Sequence, residues 1–258
     1  MDVHPPHSPM HSWKDFWIHL GTITIGLLIA ISLEQSVEAL HHRHQRRQLE
    51  EDVREEIQGD LAKNRITLQH LGQTRQYLVE LKASVDAQRA GKPVRPLSPT
   101  DPRRGSVIIV SSMSAWEGAK ESGAVALLPS REIRLYNRFV FQLESRHLAL
   151  IEYEKSAEVM QSFEERFIDS PGSFDLANES VAPSIGGMSP DDLREYSNAI
   201  AAVIKSLDRV VSRERWVDAE NQALVDGAQD EDDLVKRTLH LLSIDSGSNA
   251  STSMSKAP

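Results

Sequence analysis

A chain of 258 residues without a single cysteine holds no disulfide, no thiolate nucleophile and no Cys-based zinc or iron–sulfur site. Its net charge of −9 argues against nucleic acid as the main partner, because phosphate binding needs a basic surface. Aromatics make up only 5% of a length that accommodates one or two domains, a composition suited to helical packing rather than a β-sandwich.

Residues 1–12 contain Pro5, Pro6 and Pro9 and are expected to form a disordered tail, with His4, His7 and His11 read as part of it rather than as metal ligands. Residues 13–40 form a transmembrane anchor with interfacial flanks. From Phe16 to Leu33 there is no formal charge, and a bilayer core about 30 Å thick is crossed by about 17–25 helical residues. Roughly nine aliphatic side chains at about −0.3 to −0.6 kcal/mol each favour insertion by about 3–5 kcal/mol, partly offset by two threonines, two glycines, His19 and Ser32. Trp13, Phe16 and Trp17 form an aromatic flank in front, with Trp13 and Trp17 as interfacial anchors. Arg43, Arg46 and Arg47, interspersed with His41, His42 and His44, form a basic flank behind that suits anionic lipid heads. The competing readings are a buried core helix and a cleaved signal peptide, for which Ala30-Ile31-Ser32 would be the cleavage site. Only Lys14 opposes those three arginines, so the Lys/Arg bias places the large domain in the cytoplasm of a bacterial cell, anchored once in the inner membrane. Thr22, Gly26 and Ala30 recur every fourth residue and offer a face on which a second copy could pack closely.

Residues 41–90 read as one long membrane-proximal amphipathic helix. Leu49, Val53, Ile57, Leu61, Leu68, Leu71, Leu78, Leu81 and Val85 mark its apolar face, and Gly59 and Gly72 are candidate bends. Residues 91–113 form an exposed connector, with prolines at 93, 96, 99 and 102 and an extended run Ser106–Val110. Residues 114–227 are the helical bundle region. Ser114 and Glu117 fit a capping box for a helix to about Leu127. Pro129-Ser130 opens a second helix to about Ile168, with Tyr136, Val140, Leu143, Leu150, Ala157, Met160, Phe163 and Phe167 buried. After a loop at 169–188, Ser189-Pro190-Asp191-Asp192 opens a third, with Leu193, Tyr196, Ile200, Val203, Leu207, Val211, Val217 and Leu224 buried. Residues 228–258 are a short helix, Glu231–Leu242, and a Ser-rich disordered tail. The predicted fold is all-α: a single N-terminal transmembrane helix followed by a long-helix antiparallel bundle.

The segments Ile25-Gly26-Leu27-Leu28-Ile29-Ala30 and Leu33-Glu34-Gln35, with Ser114-Ala115-Trp116-Glu117 and Ser122-Gly123, resemble a group of uncharacterised bacterial proteins. The resemblance covers about residues 13–47 and 112–137. It implies one N-terminal span followed by a helical domain, and it brings no activity and no catalytic residue. Members of the group often carry a more basic front flank than Lys14 supplies.

Glu-x-x-His pairs occur at Glu38–His41 and Glu144–His147, the spacing used by di-iron bundles. His147 is expected on the apolar side of its helix, which makes Glu144 and His147 the metal candidates. A core or rim histidine is the favoured reading, so no metal or cofactor is assigned. No phosphate-binding glycine loop, nucleophile elbow or His-Glu-x-x-His motif occurs. Three functions compete. A membrane-anchored, non-enzymatic interaction or scaffold module, with the bilayer and a second copy as partners, is favoured. A sensor-like bundle binding a small ligand is next, and a metal-dependent helical-bundle enzyme is last.

Overall fold

The computed structural model describes residues 13–95, 97, 101–103, 113–167 and 185–254, with backbone alone at 15, 186 and 245–254. The fold is all-α: five helices, α1 Trp13–Arg89, α2 Ser114–Ser122, α3 Ser130–Glu165, α4 Pro190–Val225 and α5 Glu231–Met254, pack antiparallel. Short 3-10 turns cover Ala124–Leu127 and Ile185–Gly187. The chain divides into two compact units, Met1–Glu51 and Asp52–Pro258. The expected tail at 1–12, the run Ser106–Val110 and all of the 169–188 loop before Ile185 lie outside the described residues.

The first unit contains the N-terminal part of α1, and its apolar window is wholly unburied. Its four hydroxyls from Thr22 onward are not left to solvent. Those of Thr22, Thr24, Ser32 and Ser36 each donate to the carbonyl four residues earlier, at 2.7–2.9 Å. Each polar group is thereby satisfied within the helix, which lowers the penalty of an apolar environment.

In the second unit α1 buries a seam: Val53, Ile57, Asp60, Asn64, Thr67, Leu71, Thr74, Leu78, Leu81 and Val85. The steps alternate between four and three, the spacing of a coiled-coil seam. The expected stripe included Leu61 and Leu68, but both are half-buried flanks, and the polar Asp60, Asn64 and Thr67 take the inner positions. The helix continues through Gly59 and Gly72. Beyond Leu71 the seam joins an apolar core with Met160 and Phe163 of α3 and Tyr196, Ile200, Val203 and Leu207 of α4.

The start of α2 differs from expectation. Ser114 makes no box with Glu117, and the cap residue is Met113, without a side-chain cap. Instead the carboxylate of Glu56 on α1 accepts from the Ser114 and Ala115 amides, at 2.8 and 3.0 Å, and from the Ser114 hydroxyl. An anion at the positive end of a helix does the work of a local cap. The helix stops at Ser122 rather than Leu127, because Gly123 takes the left-handed conformation (φ 78°) that ends helices. α4 begins as read, with Ser189 and Asp192 capping each other and Pro190 at the first position. α5 runs on to Met254, beyond Leu242, with no proline between Glu231 and Met254 to stop it.

The connector is not uniformly exposed. Asp101 and Met113 are buried, and Leu97 packs on the core. Arg103 reaches inward, bonding Asp101 through Nη2 at 2.6 Å and Glu164 of α3 through Nη1 at 3.0 Å. Its guanidinium lies 5.4 Å from the centre of the Tyr77 ring, and the Tyr196 hydroxyl donates to the same Glu164. Burial opposes the charge on Arg103, but Asp101 and Glu164 outweigh it and hold its pKa above the ordinary arginine range. Arg103→Ala strands two carboxylates in a largely dry site and is expected to destabilise the bundle by about 3–5 kcal/mol. Thermal unfolding should show a Tm lower by on the order of 10 °C; a shift within a degree or two would mean that the clasp contributes little.

Candidate functional site: a buried polar layer

Where the seam of α1 turns polar, the facing helices turn polar too. Ion pairs and hydrogen bonds set the register. Arg75 meets Asp208 and Ser197 meets Asp86, so α1 runs antiparallel to α4. Arg146–Glu214, Arg209–Glu152 and Arg166–Glu195 align α3 antiparallel to α4. This register brings Asp60, Asn64 and Thr67 of α1 to the level of Gln142 and Arg146 of α3 and of Glu214 and Asn221 of α4. All seven of these residues are buried.

Two carboxyls dominate the layer. Glu214 is 1% exposed and lies 3.5 Å from Arg146 Nη1. Burial raises its pKa, Arg146 counters, and the charges of Asp218 and Asp60 raise it further, to about 7. Glu220 is fully buried one helical turn and a half further along α4. Its Oε1 accepts from the Trp216 indole at 2.8 Å and lies 3.5 Å from Arg138 Nε, while Arg138 Nη1 reaches Glu231 of α5 at 3.1 Å. Burial pushes Glu220 up to about 7 against the pull of Trp216 and Arg138. Glu214 and Glu220 thus share this half of the bundle with two arginines, one of which, Arg138, is divided between two acids, while Asp60 is paired with Lys63 at 2.9 Å. Burial in a low-dielectric interior favours keeping a proton on Glu214 and Glu220.

Hydrogen bonding in this half of the bundle is incomplete. Thr67 Oγ1, Trp116 Nε1 and Glu220 Oε2 are buried without a hydrogen-bond partner. Such atoms are the usual binding points of internal water or a small polar ligand.

The two metal candidates lie on the outer face of α3. Glu144 and His147 are both exposed, because the buried face of α3 is set by Leu135, Phe139, Gln142, Leu143, Arg146, Ala149 and Leu150. That face is rotated by one residue from the expected stripe: Arg146 points in to meet Glu214, and His147 points out. Glu38 and His41 are also exposed, on the first unit. Among the described residues, no group of three His, Cys, Asp or Glu side chains is placed to hold a metal. Thr22, Gly26 and Ala30 all lie on exposed helix, and a Cβ built at Gly26 would meet nothing within 4 Å. Trp13 and Trp17 are exposed and contact each other edge to face at 5.9 Å, with Phe16 against both. Arg43 and Arg47 are exposed, and Arg46 is half-buried against Glu50 at 2.6 Å.

None of the layer's polar residues was marked by apolar periodicity. Their signal is positional: Asp60, Asn64 and Thr67 fill the gap between Ile57 and Leu71 in steps of three and four, and Glu214 sits between Val210 and Val217 in the same way.

The two raised carboxyls make stability depend on pH. Between their ordinary value of 4.5 and about 7, the unfolded chain has released protons that the folded chain keeps, so stability falls as pH rises through that window. The loss is on the order of 3 kcal/mol per carboxyl. Urea unfolding at pH 5 and pH 7.5 should show the lower midpoint at pH 7.5, and Glu220→Gln should remove about half of the difference; an unchanged difference in that variant would contradict the assignment. Comparison with family models, with curated proteins and with solved structures finds no match for this chain.

Proposed function

We propose that this protein is a membrane-anchored, non-enzymatic interaction module, in which a single span carries a helical bundle and self-associates through its small-residue face. The observation that carries this reading is the long apolar helix near the N-terminus with none of its apolar window buried. Such a helix is consistent with a single membrane span or a signal sequence. The membrane-span reading is supported by the internally satisfied hydroxyls, the aromatic cluster at one end and the basic cluster at the other. The excess of arginine behind the span favours a cytoplasmic bundle at a bacterial inner membrane.

Self-association rests on the surface shape of Thr22, Gly26 and Ala30. The Thr22 hydroxyl is already used by the Ile18 carbonyl, so the stripe is small and almost without free polar groups. Multi-angle light scattering of the detergent-solubilised chain should give at least a dimer at tens of micromolar. Gly26→Ile should shift it toward monomer by about tenfold or more in dissociation constant while leaving the bundle folded. A monomeric wild type would contradict the module.

A second reading, a bundle that senses a small polar ligand, is favoured by the unpartnered Thr67 Oγ1, Trp116 Nε1 and Glu220 Oε2. Thermal-shift screening against polar metabolites discriminates: a ligand at a hundred times its Kd adds about 2.7 kcal/mol, and a flat panel argues for the first reading.

A further inference from the structure

We infer that Arg43, Arg46 and Arg47 form a collar on α1 that binds the anionic phosphate headgroups of one bilayer leaflet. The inference rests on the membrane-anchor reading above and names the lipid chemistry of that anchor. From Ala39 to Leu49 the helix carries three arginines and no acid. Arg43 and Arg47 stand one turn apart on one face, and Arg46 adjoins Arg43 at three residues' spacing.

Position along the helix supports the assignment. At 1.5 Å per residue, Arg43 is about 15 Å beyond Leu33, the last residue of the uncharged run. Over that distance the exposed apolar Leu33, Val37 and Leu40 alternate with exposed polar residues, Glu34 and Glu38 among them, as suits a headgroup layer between the span and the collar. Trp13 and Trp17, at the other end, mark the opposite headgroup layer. The collar lies about 45 Å from the midpoint between them, against about 40–45 Å for a bilayer with its headgroups.

Chain direction adds a second factor. Every Cα–Cβ bond of a helix tilts toward its N-terminus, and here the span is N-terminal to the collar. The side chains of Arg43 and Arg47 therefore start out leaning back toward the lipid, the geometry of snorkelling, whereas Arg46 is drawn the other way by Glu50 at 2.6 Å. A planar guanidinium then offers two parallel donors to a phosphate, which a zwitterionic headgroup partly neutralises with its own cation. The acids on either side, Glu34 and Glu38 before and Glu50 and Glu51 after, confine the positive charge to this short collar, and Arg46 is turned toward Glu50, so Arg43 and Arg47 carry most of the headgroup contact.

The test uses the full chain in phosphatidylcholine vesicles, with trace spin-labelled phosphatidylglycerol or phosphatidylcholine, and measures the motionally restricted fraction of each label. The collar predicts that phosphatidylglycerol is favoured by up to about fivefold per arginine, and that the preference is weakened by high salt. In R43Q/R46Q/R47Q, with helicity checked by circular dichroism, the preference should fall to within about twofold of unity. Equal restriction of both lipids by the wild type would overturn the collar while leaving the span intact. So would a preference that persists in the triple variant. A chain that restricts neither lipid and stays out of the vesicles overturns the anchor itself, which keeps the two failures distinct.

Discussion

An uncharged helical stretch that none of the described residues covers is the constraint on which the rest depends. Its aliphatic side chains, from Ile18 to Leu33, are exposed over much of their surface, and apolar area in water is disfavoured by roughly 25 cal/mol per Å². A soluble bundle would have buried such a stretch, as α1 does with Leu78, Leu81 and Val85 further along the same helix. One helix thus carries two apolar surfaces, of which one is matched by α3 and α4 and the other by none of the described residues. In the proposed reading a bilayer supplies the missing apolar surroundings, and the aromatic and arginine flanks fix the depth.

The second unit solves a different problem. Its core is apolar from Leu71 of α1 onward, and polar at the level of Asn64, Arg146 and Glu214. Burying charged groups gains little net stability, because desolvation offsets most of the attraction between them. What such a layer provides is register: a slip of one turn would place Glu214 against Gln142, Leu143, Ala149 or Leu150 rather than Arg146 and leave a charge unpaired. Long uniform helices need that discrimination, since apolar heptads alone allow several alignments. Arg103 performs a similar task for the connector, clasping it to α3 through Glu164.

Much of this was legible in the residues. The helices follow from 3.6-residue periodicity and from proline-rich breaks, and the α4 cap can be read from Ser189-Pro190-Asp191-Asp192 alone. The buried polar layer was not, because Asp60, Asn64 and Glu214 in isolation resemble exposed positions, and only their partners on other helices place them inside. The same blindness put His147 on the wrong face: an inward Arg146 reads as polar surface until Glu214 is known to face it. The cap of α2 was missed for a related reason, since Glu56 lies more than fifty residues from the amides it accepts. Local chemistry predicts local structure, and long-range pairing sets which polar groups are buried.

The most direct measurement is fractionation of cells expressing the intact chain, with an alkaline carbonate wash of the membrane pellet and protease added to sealed inverted vesicles. The account predicts full-length protein in the washed pellet, with the bundle digested down to a protected fragment that contains Phe16–Leu33. Full-length, unprocessed protein in the soluble fraction, or release by carbonate, would contradict it.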